Sequence, residues 1–240
     1  MYAETGIIIL LLAILAAAAV RTGRLTMTGG VTGWVISALI FAGTGVAGVV
    51  MLAVFFIAAS VATRWKYRMK LQLGVAEKRM GRRNAWQVIA NGGIPGLSGL
   101  VAWFFPGLEQ ICLLMVAGSF AAATADTLSS ELGSLYGKKF YNILNLRREA
   151  RGLDGVISTE GTLVGIFGSM LIAVVYSVSS GWAMFVSVII AGTAGNVVDS
   201  LLGATAERAG LIRNNGVNFL NTLTGALVAL LLYSVSFSAT

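Results

Sequence analysis

The sequence predicts an all-α, polytopic membrane helix bundle of about eight transmembrane helices, in a single integral membrane domain that covers residues 1–240. Three observations lead to this fold class. First, 57% of the residues are apolar and only 11% are charged, whereas soluble domains carry about 25% charged residues. Second, apolar stretches long enough to cross a bilayer recur along the whole chain. Third, the basic residues occur only in alternate connections between these stretches.

The predicted helices follow one another with few long connections. The first covers residues 4–20, and the lack of a basic start and of a clear cleavage site favours a spanning helix over a removed signal peptide. Residues 28–61 are too many for one span and suit two short helices with a tight turn in the glycine-rich stretch 43–48. The other helices are predicted at residues 85–104, 109–136, 161–178, 182–204 and 216–236.

The basic residues predict the orientation of these helices. All 17 Lys and Arg residues follow the first, third, fifth or seventh helix, mostly in the loops 64–83 and 138–160. The positive-inside rule then places the long loops in the cytoplasm and both termini outside. The net charge of +7 is therefore a topology signal for a bacterial-type cytoplasmic membrane protein, and we expect no nucleic-acid partner.

The amino-acid inventory limits the chemistry that the chain can perform. It contains no histidine and a single cysteine, Cys112. An intrachain disulfide, a cysteine or histidine metal site and a histidine-activated nucleophile are therefore excluded. Any catalysis must use carboxylates, hydroxyls, amides and cations.

Three carboxylates lie inside or at the end of apolar helices: Asp126 and Glu131 in the fifth helix, and Asp199 in the seventh. Ionisable groups at membrane depth are costly and by default indicate a functional site. The predicted topology places them at one level, in the cytoplasmic half of the membrane, together with a set of amide and hydroxyl side chains. That set comprises Asn91, Ser130, Ser200, Asn214, Asn218 and Asn221.

Oxygen ligands of this kind suit Mg²⁺, which proteins bind with one or two carboxylates plus substrate phosphates. We therefore predict Asp126, Glu131 and Asp199 as metal ligands and catalytic residues, and the amides and hydroxyls as phosphate-binding groups. Two other interpretations stay open from the sequence. Asn and Ser side chains also form hydrogen bonds between packed membrane helices, and Glu131 is close enough to a helix end to be solvated.

Two segments of the chain resemble each other. Residues 130–134 and 200–204 share a serine followed by a leucine and glycine pair, and both are followed by a second helix with a similar start. The pattern suits a tandem repeat of helices 5–6 and 7–8 in parallel orientation, with a site between the copies. Chance similarity among small residues explains it equally well.

At these motifs the chain resembles the integral-membrane family that includes the plant and cyanobacterial phytyl-phosphate kinase of the vitamin E pathway. The matching segments are residues 87–92, 125–133, 155–156 with 161–162, 198–204 and 214–221. The chain departs from the family at residues 146–152, where it lacks the proline-rich run that we expect between the fifth and sixth helices.

The resemblance implies an enzyme that transfers the γ-phosphoryl group of a nucleoside triphosphate, with CTP favoured, to an isoprenoid lipid monophosphate in the bilayer. Mg²⁺ is the expected cofactor, and the active site is expected to face the cytoplasm. The alternative is a transporter or flippase for a lipid phosphate or small ion, which would use the same carboxylates to bind a coupling ion.

Overall fold

The computed structural model describes residues 2–238, and the side chains of residues 5–77 and 80–236. Eight α-helices and one small hairpin follow one another along the chain. The helices are α1 (Tyr2–Arg21), α2 (Met27–Arg64), α3 (Tyr67–Gln72), α4 (Ala85–Phe104), α5 (Glu109–Tyr136), α6 (Thr159–Ser180), α7 (Phe185–Leu202) and α8 (Asn214–Ser238). Strands β1 (Tyr141–Asn142) and β2 (Val156–Ile157) pair antiparallel between α5 and α6.

Helix α5 is the centre of the bundle. It packs against α2, α4, α6, α7 and α8, and it is buried along most of its length, whereas the other long helices expose an apolar face. Its core side chains include Phe120, which stacks on Phe55 of α2 with ring centroids 5.7 Å apart. The chain therefore surrounds its most polar long helix with more apolar ones, as membrane helix bundles do.

Helix α2 folds back on itself at Gly45, within the predicted turn region. Gly45 has φ 63° and ψ −154°, a conformation that is open almost only to glycine. A straight helix of this length would be about 57 Å long. Instead, Arg64 at its end donates a hydrogen bond of 2.8 Å to the carbonyl oxygen of Gly23, just before its start. The two halves of α2 therefore run in opposite directions.

Five helical segments within the described residues are long and apolar enough to cross a membrane. They are Met27–Arg64, Pro106–Tyr136, Thr159–Ser180, Trp182–Glu207 and Asn214–Ser236, and a shorter apolar helix covers Thr5–Arg21. Helix α4 is not among them, although its predicted bounds match the observed ones. The structure thus agrees with a mostly helical membrane protein.

The loops differ from the prediction, since both long connections contain ordered elements. Residues 64–83, predicted as a loop, include α3 and a 3₁₀ turn at Lys78–Gly81. The connection between α5 and α6 contains the β1–β2 hairpin, so the chain is not entirely α-helical.

Helices α6, α7 and α8 also differ from their predicted bounds. Helix α6 begins two residues earlier because the Ser158 side chain accepts a hydrogen bond from the Gly161 amide and caps the helix. Helix α7 begins later because Trp182–Met184 form a 3₁₀ turn, and it ends in the π-helical turn Gly203–Glu207. Helix α8 begins at Asn214, two residues before its predicted start.

Candidate functional site

The carboxyl groups of Asp126 and Asp199 lie side by side, within hydrogen-bonding distance of each other. Asp126 is on α5 and Asp199 is on α7, and small residues allow the two helices to approach closely. A Cβ atom added to Gly195 would overlap the side chain of Ala122. Two neighbouring carboxylates repel each other unless a proton or a cation lies between them, so this pair is a natural position for a cation.

Helix α8 completes this group with Asn221, whose side chain is almost fully buried. The Asn221 Nδ2 atom donates a hydrogen bond of 3.4 Å to Asp199 Oδ1, and its Oδ1 atom has no hydrogen-bond partner among the described residues. Helix α8 reaches this position because Gly225 packs directly against Gly118 of α5. The amide therefore orients one of the two carboxylates.

A polar cavity of about 320 Å³ opens around the carboxyl pair. Of the residues predicted from the sequence, Asn221 lies behind the cavity wall and the rest line it. These lining residues are Asn91, Asp126, Ser130, Glu131, Asp199, Ser200, Asn214 and Asn218. The fold thus brings the predicted residues of α4, α5, α7 and α8 to one cavity.

Several of the amides and hydroxyls in this wall form short-range hydrogen bonds within their own helices. Asn91 donates to the carbonyl oxygen of Gln87, Ser130 to that of Thr127, and Ser200 to that of Asn196. Each of these side chains can still accept a hydrogen bond on its oxygen.

Glu131 is in an environment that the sequence did not predict. It is 6% exposed, so the interpretation as a solvated helix-end residue is wrong. Its Oε2 atom lies 2.5 Å from Nζ of Lys70. Lys70 is fully buried and also donates a hydrogen bond of 2.6 Å to the carbonyl oxygen of Ala62. One oxygen of the Glu131 carboxylate is therefore already occupied by a cation.

The three predicted metal ligands consequently do not form one cluster. Among the residues whose side chains are described, no group of three or more acidic, cysteine or histidine side chains is arranged to hold a metal ion. The structure brings Asp126 and Asp199 together and ties Glu131 to Lys70 instead. A metal at this site would need oxygen atoms from the substrate to complete its coordination.

The cavity also has acidic residues that the sequence analysis did not select: Glu77, Asp154 and Glu207. Glu207 belongs to the π-helical turn at the end of α7, and such turns frequently occur at functional sites. Gly155, in the loop before α6, packs against Gly203 and Ala204 with φ +71°. The signal for this wall was present in the sequence, because residues 155–156 belong to one of the family motifs.

The hairpin loop is fastened to the end of α7 by Arg208. The Arg208 guanidinium contacts Glu149 Oε2 at 2.7 Å, and its Nε atom donates to the carbonyl oxygen of Asp154 at 2.8 Å. Hydrogen bonds from Arg208 and then from Asn142 lower the pKa of Glu149. The same pairing with Glu149 raises the pKa of Arg208. These contacts hold the Asp154–Gly155 segment against the cavity.

Comparison with known proteins gives a family match and several relatives that align over most of their length. Residues 10–226 match the family described as "Integral membrane protein DUF92". An uncharacterized membrane protein of Synechocystis is 34% identical over 203 residues, which cover 82% of this chain and 78% of that protein. An uncharacterized membrane protein of Methanocaldococcus jannaschii is 35% identical over 190 residues, which cover 77% of this chain and 75% of that protein.

Two relatives are plant proteins. "Protein VTE6, chloroplastic" of Arabidopsis thaliana is 30% identical over 234 residues, which cover 93% of this chain and 69% of that protein. "Protein PGR" of the same plant is 26% identical over 247 residues, which cover 83% of this chain and 85% of that protein. No solved structure shows significant similarity to the chain.

Proposed function

Because this chain belongs to the integral membrane protein family DUF92, we propose that it is a Mg²⁺-dependent isoprenyl-phosphate kinase. It transfers the γ-phosphoryl group of a nucleoside triphosphate, with CTP favoured, to an isoprenoid monophosphate in the bilayer. The family match confirms the resemblance that the sequence motifs indicate. The observation that carries the proposal is the Asp126–Asp199 carboxyl pair in a polar cavity between membrane helices.

The charge of the cavity supports a metal-dependent reaction. Among the residues whose side chains are described, its lining includes six acidic side chains and one basic side chain, that of Arg83. A phosphate group would be repelled from such a cavity unless a divalent cation entered with it. Asp126 and Asp199 offer hard oxygen atoms of the kind that Mg²⁺ prefers, and Asn221 holds one of these carboxylates in place.

The chain's own residues supply positioning more than proton transfer. Asp126 and Asp199 would hold Mg²⁺, which neutralises charge on the transferred phosphoryl group when bound. Asn214, Asn218 and Ser200 lie where they can orient phosphate oxygens. The acceptor is itself a phosphate, ionised at neutral pH, so the reaction needs no strong general base. A chain without histidine can therefore perform it.

The decisive experiment uses the purified full-length protein in detergent with Mg²⁺, CTP or ATP, and a panel of isoprenyl monophosphates. We expect one of these pairs to give the isoprenyl diphosphate. Asp126→Asn and Asp199→Asn should each lower turnover at least about 100-fold, because each removes charge stabilisation from the reacting group. Glu109→Gln, at the exposed start of the same helix as Asp126, is the matched control and should keep wild-type turnover.

The outcomes separate the function from the site. If no nucleotide and acceptor pair yields a diphosphate, the kinase proposal fails. If diphosphate forms but both Asp variants turn over normally, the reaction occurs elsewhere in the protein. The same carboxyl pair would also suit a coupling-ion site of a transporter, so sealed proteoliposomes should be tested for lipid phosphate uptake without nucleotide. Uptake without diphosphate formation would favour the transporter.

A further inference from the structure

A second cavity adjoins the polar one and is almost entirely apolar. It is a groove of about 410 Å³ between α1, both halves of α2 and the start of α4. Its walls include Leu12, Ala16, Ile36, Leu52 and Phe56. Leu15 and Ile57 also line it and are largely exposed on the outer surface of the bundle. The groove can therefore be entered from the side that faces lipid.

The two cavities meet at three polar residues that line both of them: Arg83, Gln87 and Asn91. The backbone of Arg83 is held in place, because its N–H donates to the carbonyl oxygen of Arg24 and its own carbonyl oxygen accepts from the Thr26 amide. These hydrogen bonds hold the backbone of Arg83 at the boundary between the apolar groove and the acidic cavity.

The guanidinium group of Arg83 lies over two aromatic rings of the groove. It is 5.7 Å from the ring centroid of Phe55 and 5.8 Å from that of Phe56. It forms no ion pair and donates no side-chain hydrogen bond to any described residue. Burial lowers the pKa of Arg83, while the nearby carboxylates of Glu77 and Glu131 act in the opposite direction. A half-buried guanidinium that forms no salt bridge with a described carboxylate can pair with an anionic ligand, and the carboxylates nearest to it are those of Glu77 and Glu131.

We propose that this groove binds the single apolar tail of an isoprenyl monophosphate, with the phosphate on Arg83 at the edge of the polar cavity. This inference rests on the proposed function, because the groove is assigned to the acceptor of that reaction. The tail gains little from leaving the bilayer, since lipid is as apolar as the groove. The head group therefore determines affinity, and guanidinium with phosphate is a strong charge-assisted pair.

The test measures binding of geranylgeranyl monophosphate to the full-length protein in detergent, with Mg²⁺ and without nucleotide, so that no transfer occurs. Arg83→Gln should weaken binding about tenfold to a hundredfold, because a charge-assisted contact is lost. Arg82→Gln is the matched control, since Arg82 is exposed and lines neither cavity. Equal binding by the two variants would overturn the assignment of the head group.

The tail is tested with two neighbouring residues of α1. Ala16→Phe places a ring in the groove and should lower binding at least about tenfold, whereas Ala17→Phe adds the same ring to an exposed position outside it and should not change binding. An isoprenyl phosphate with a photoreactive tail should label α1 and α2 in the wild-type protein. Labelling confined to other helices would show that the tail does not bind in this groove, and this result does not depend on whether Ala16→Phe folds.

Competition and turnover complete the test. Equal displacement by phosphatidic acid, which has two chains, would overturn the single-chain assignment. If Ala16→Phe forms diphosphate at the wild-type rate, the assignment of the groove to the lipid tail is wrong, but the proposed kinase activity is supported. If binding depends on Arg83 and Ala16 but no diphosphate forms with any nucleotide, the lipid-binding assignment is supported and the proposed kinase activity is wrong.

Discussion

At the scale of single residues, the Lys70–Glu131 pair is the most sensitive interaction near the cavity. Both groups are withdrawn from water, and Lys70 is also bonded to the carbonyl oxygens at the end of α2. A buried ion pair contributes little net stability, since desolvation offsets the attraction. Removal of one partner is different, because the other charge is then left buried and unpaired.

We predict that Lys70→Met lowers the free energy of unfolding by about 3–5 kcal/mol. For a chain of this size, that corresponds to a fall in melting temperature of about 10 °C. The double variant Lys70→Met with Glu131→Leu should recover most of the loss, since it leaves no unpaired charge. Thermal unfolding in detergent measures all three proteins.

The control for this experiment is Lys139→Met, a substitution of an exposed lysine in the loop after α5. It should leave the melting temperature unchanged. If Lys70→Met melts at the same temperature as Lys139→Met, the Lys70 ammonium group is solvated and the pair is not buried as described.

The acidic residues of the cavity and Lys70 differ in how far a sequence alone can mark them. Asp126 and Asp199 could be predicted because a carboxylate in an apolar helix has a high desolvation cost, which has few explanations other than function. Lys70 is one of many cations in a basic loop, so nothing in its neighbourhood marks it. Its burial depends on how α3 packs against the end of α2, and that contact is tertiary.

At the scale of elements, the connection between α5 and α6, which contains the hairpin, forms part of the cavity wall. It reaches the bundle through Gly155 on the α7 end and through Arg208, which binds both Glu149 and the Asp154 carbonyl oxygen. Arg208 therefore helps to hold this loop against the cavity, together with Arg151, which donates a hydrogen bond to the carbonyl oxygen of Ser134.

We predict that acid loosens the hairpin. Arg208, and then Asn142, hold the pKa of Glu149 below its ordinary value of 4.5. A carboxyl group whose pKa is lowered by folding stabilises the folded state above its ordinary pKa. That stabilisation is lost as the pH falls through the folded value. Hydrogen exchange in residues 140–157, corrected for intrinsic rates, should therefore accelerate as the pH falls below about 4.5.

Two variants control this prediction. Glu149→Gln removes the titrating group, so the pH-dependent step should disappear. Arg208→Met should accelerate exchange in the hairpin at every pH and leave α5 unchanged. If the step persists in Glu149→Gln, the Glu149 carboxyl group does not cause it and the prediction is wrong.

The helices themselves could be predicted more closely than the connections. The bounds of α4 and α5 coincide with the predicted ones, because Asn84 and Gln87 form a capping box and Pro106 ends the α4 segment. The β1–β2 pairing could not be predicted. Each strand has only two residues, too few for a pattern of alternating polarity, and their pairing depends on contacts with α7.

At the scale of the whole molecule, the distribution of charge and the fold of α2 lead to one topology. The basic residues occur in alternate connections, and α2 reverses at Gly45 so that both of its ends lie beside Gly23. If each half of α2 crosses the bilayer, eight spans result and all basic loops share one side. The polar cavity then opens toward that side, because residues of the basic connections, among them Arg83 and Asp154, line it.

We predict that labelling of single introduced cysteines distinguishes residues on the two sides of the membrane. The cysteines are introduced into a Cys112→Ala background, and the native cysteine that this removes is buried. Lys139→Cys and Arg213→Cys should react with an impermeant maleimide only in inverted vesicles. Ala183→Cys should react only in right-side-out vesicles. All three positions are exposed in the structure.

Val46→Cys, next to the reversal in α2, decides the number of spans. Val46 is exposed, so a hairpin that crosses the bilayer twice would make this cysteine react from the outside, as Ala183→Cys does. Labelling from the inside would contradict the eight-span topology, because the reversal in α2 would then lie on the same side of the membrane as Lys139. No labelling from either side would mean that the hairpin ends within the bilayer. In that case the apolar groove between its halves would be closed toward the outer leaflet.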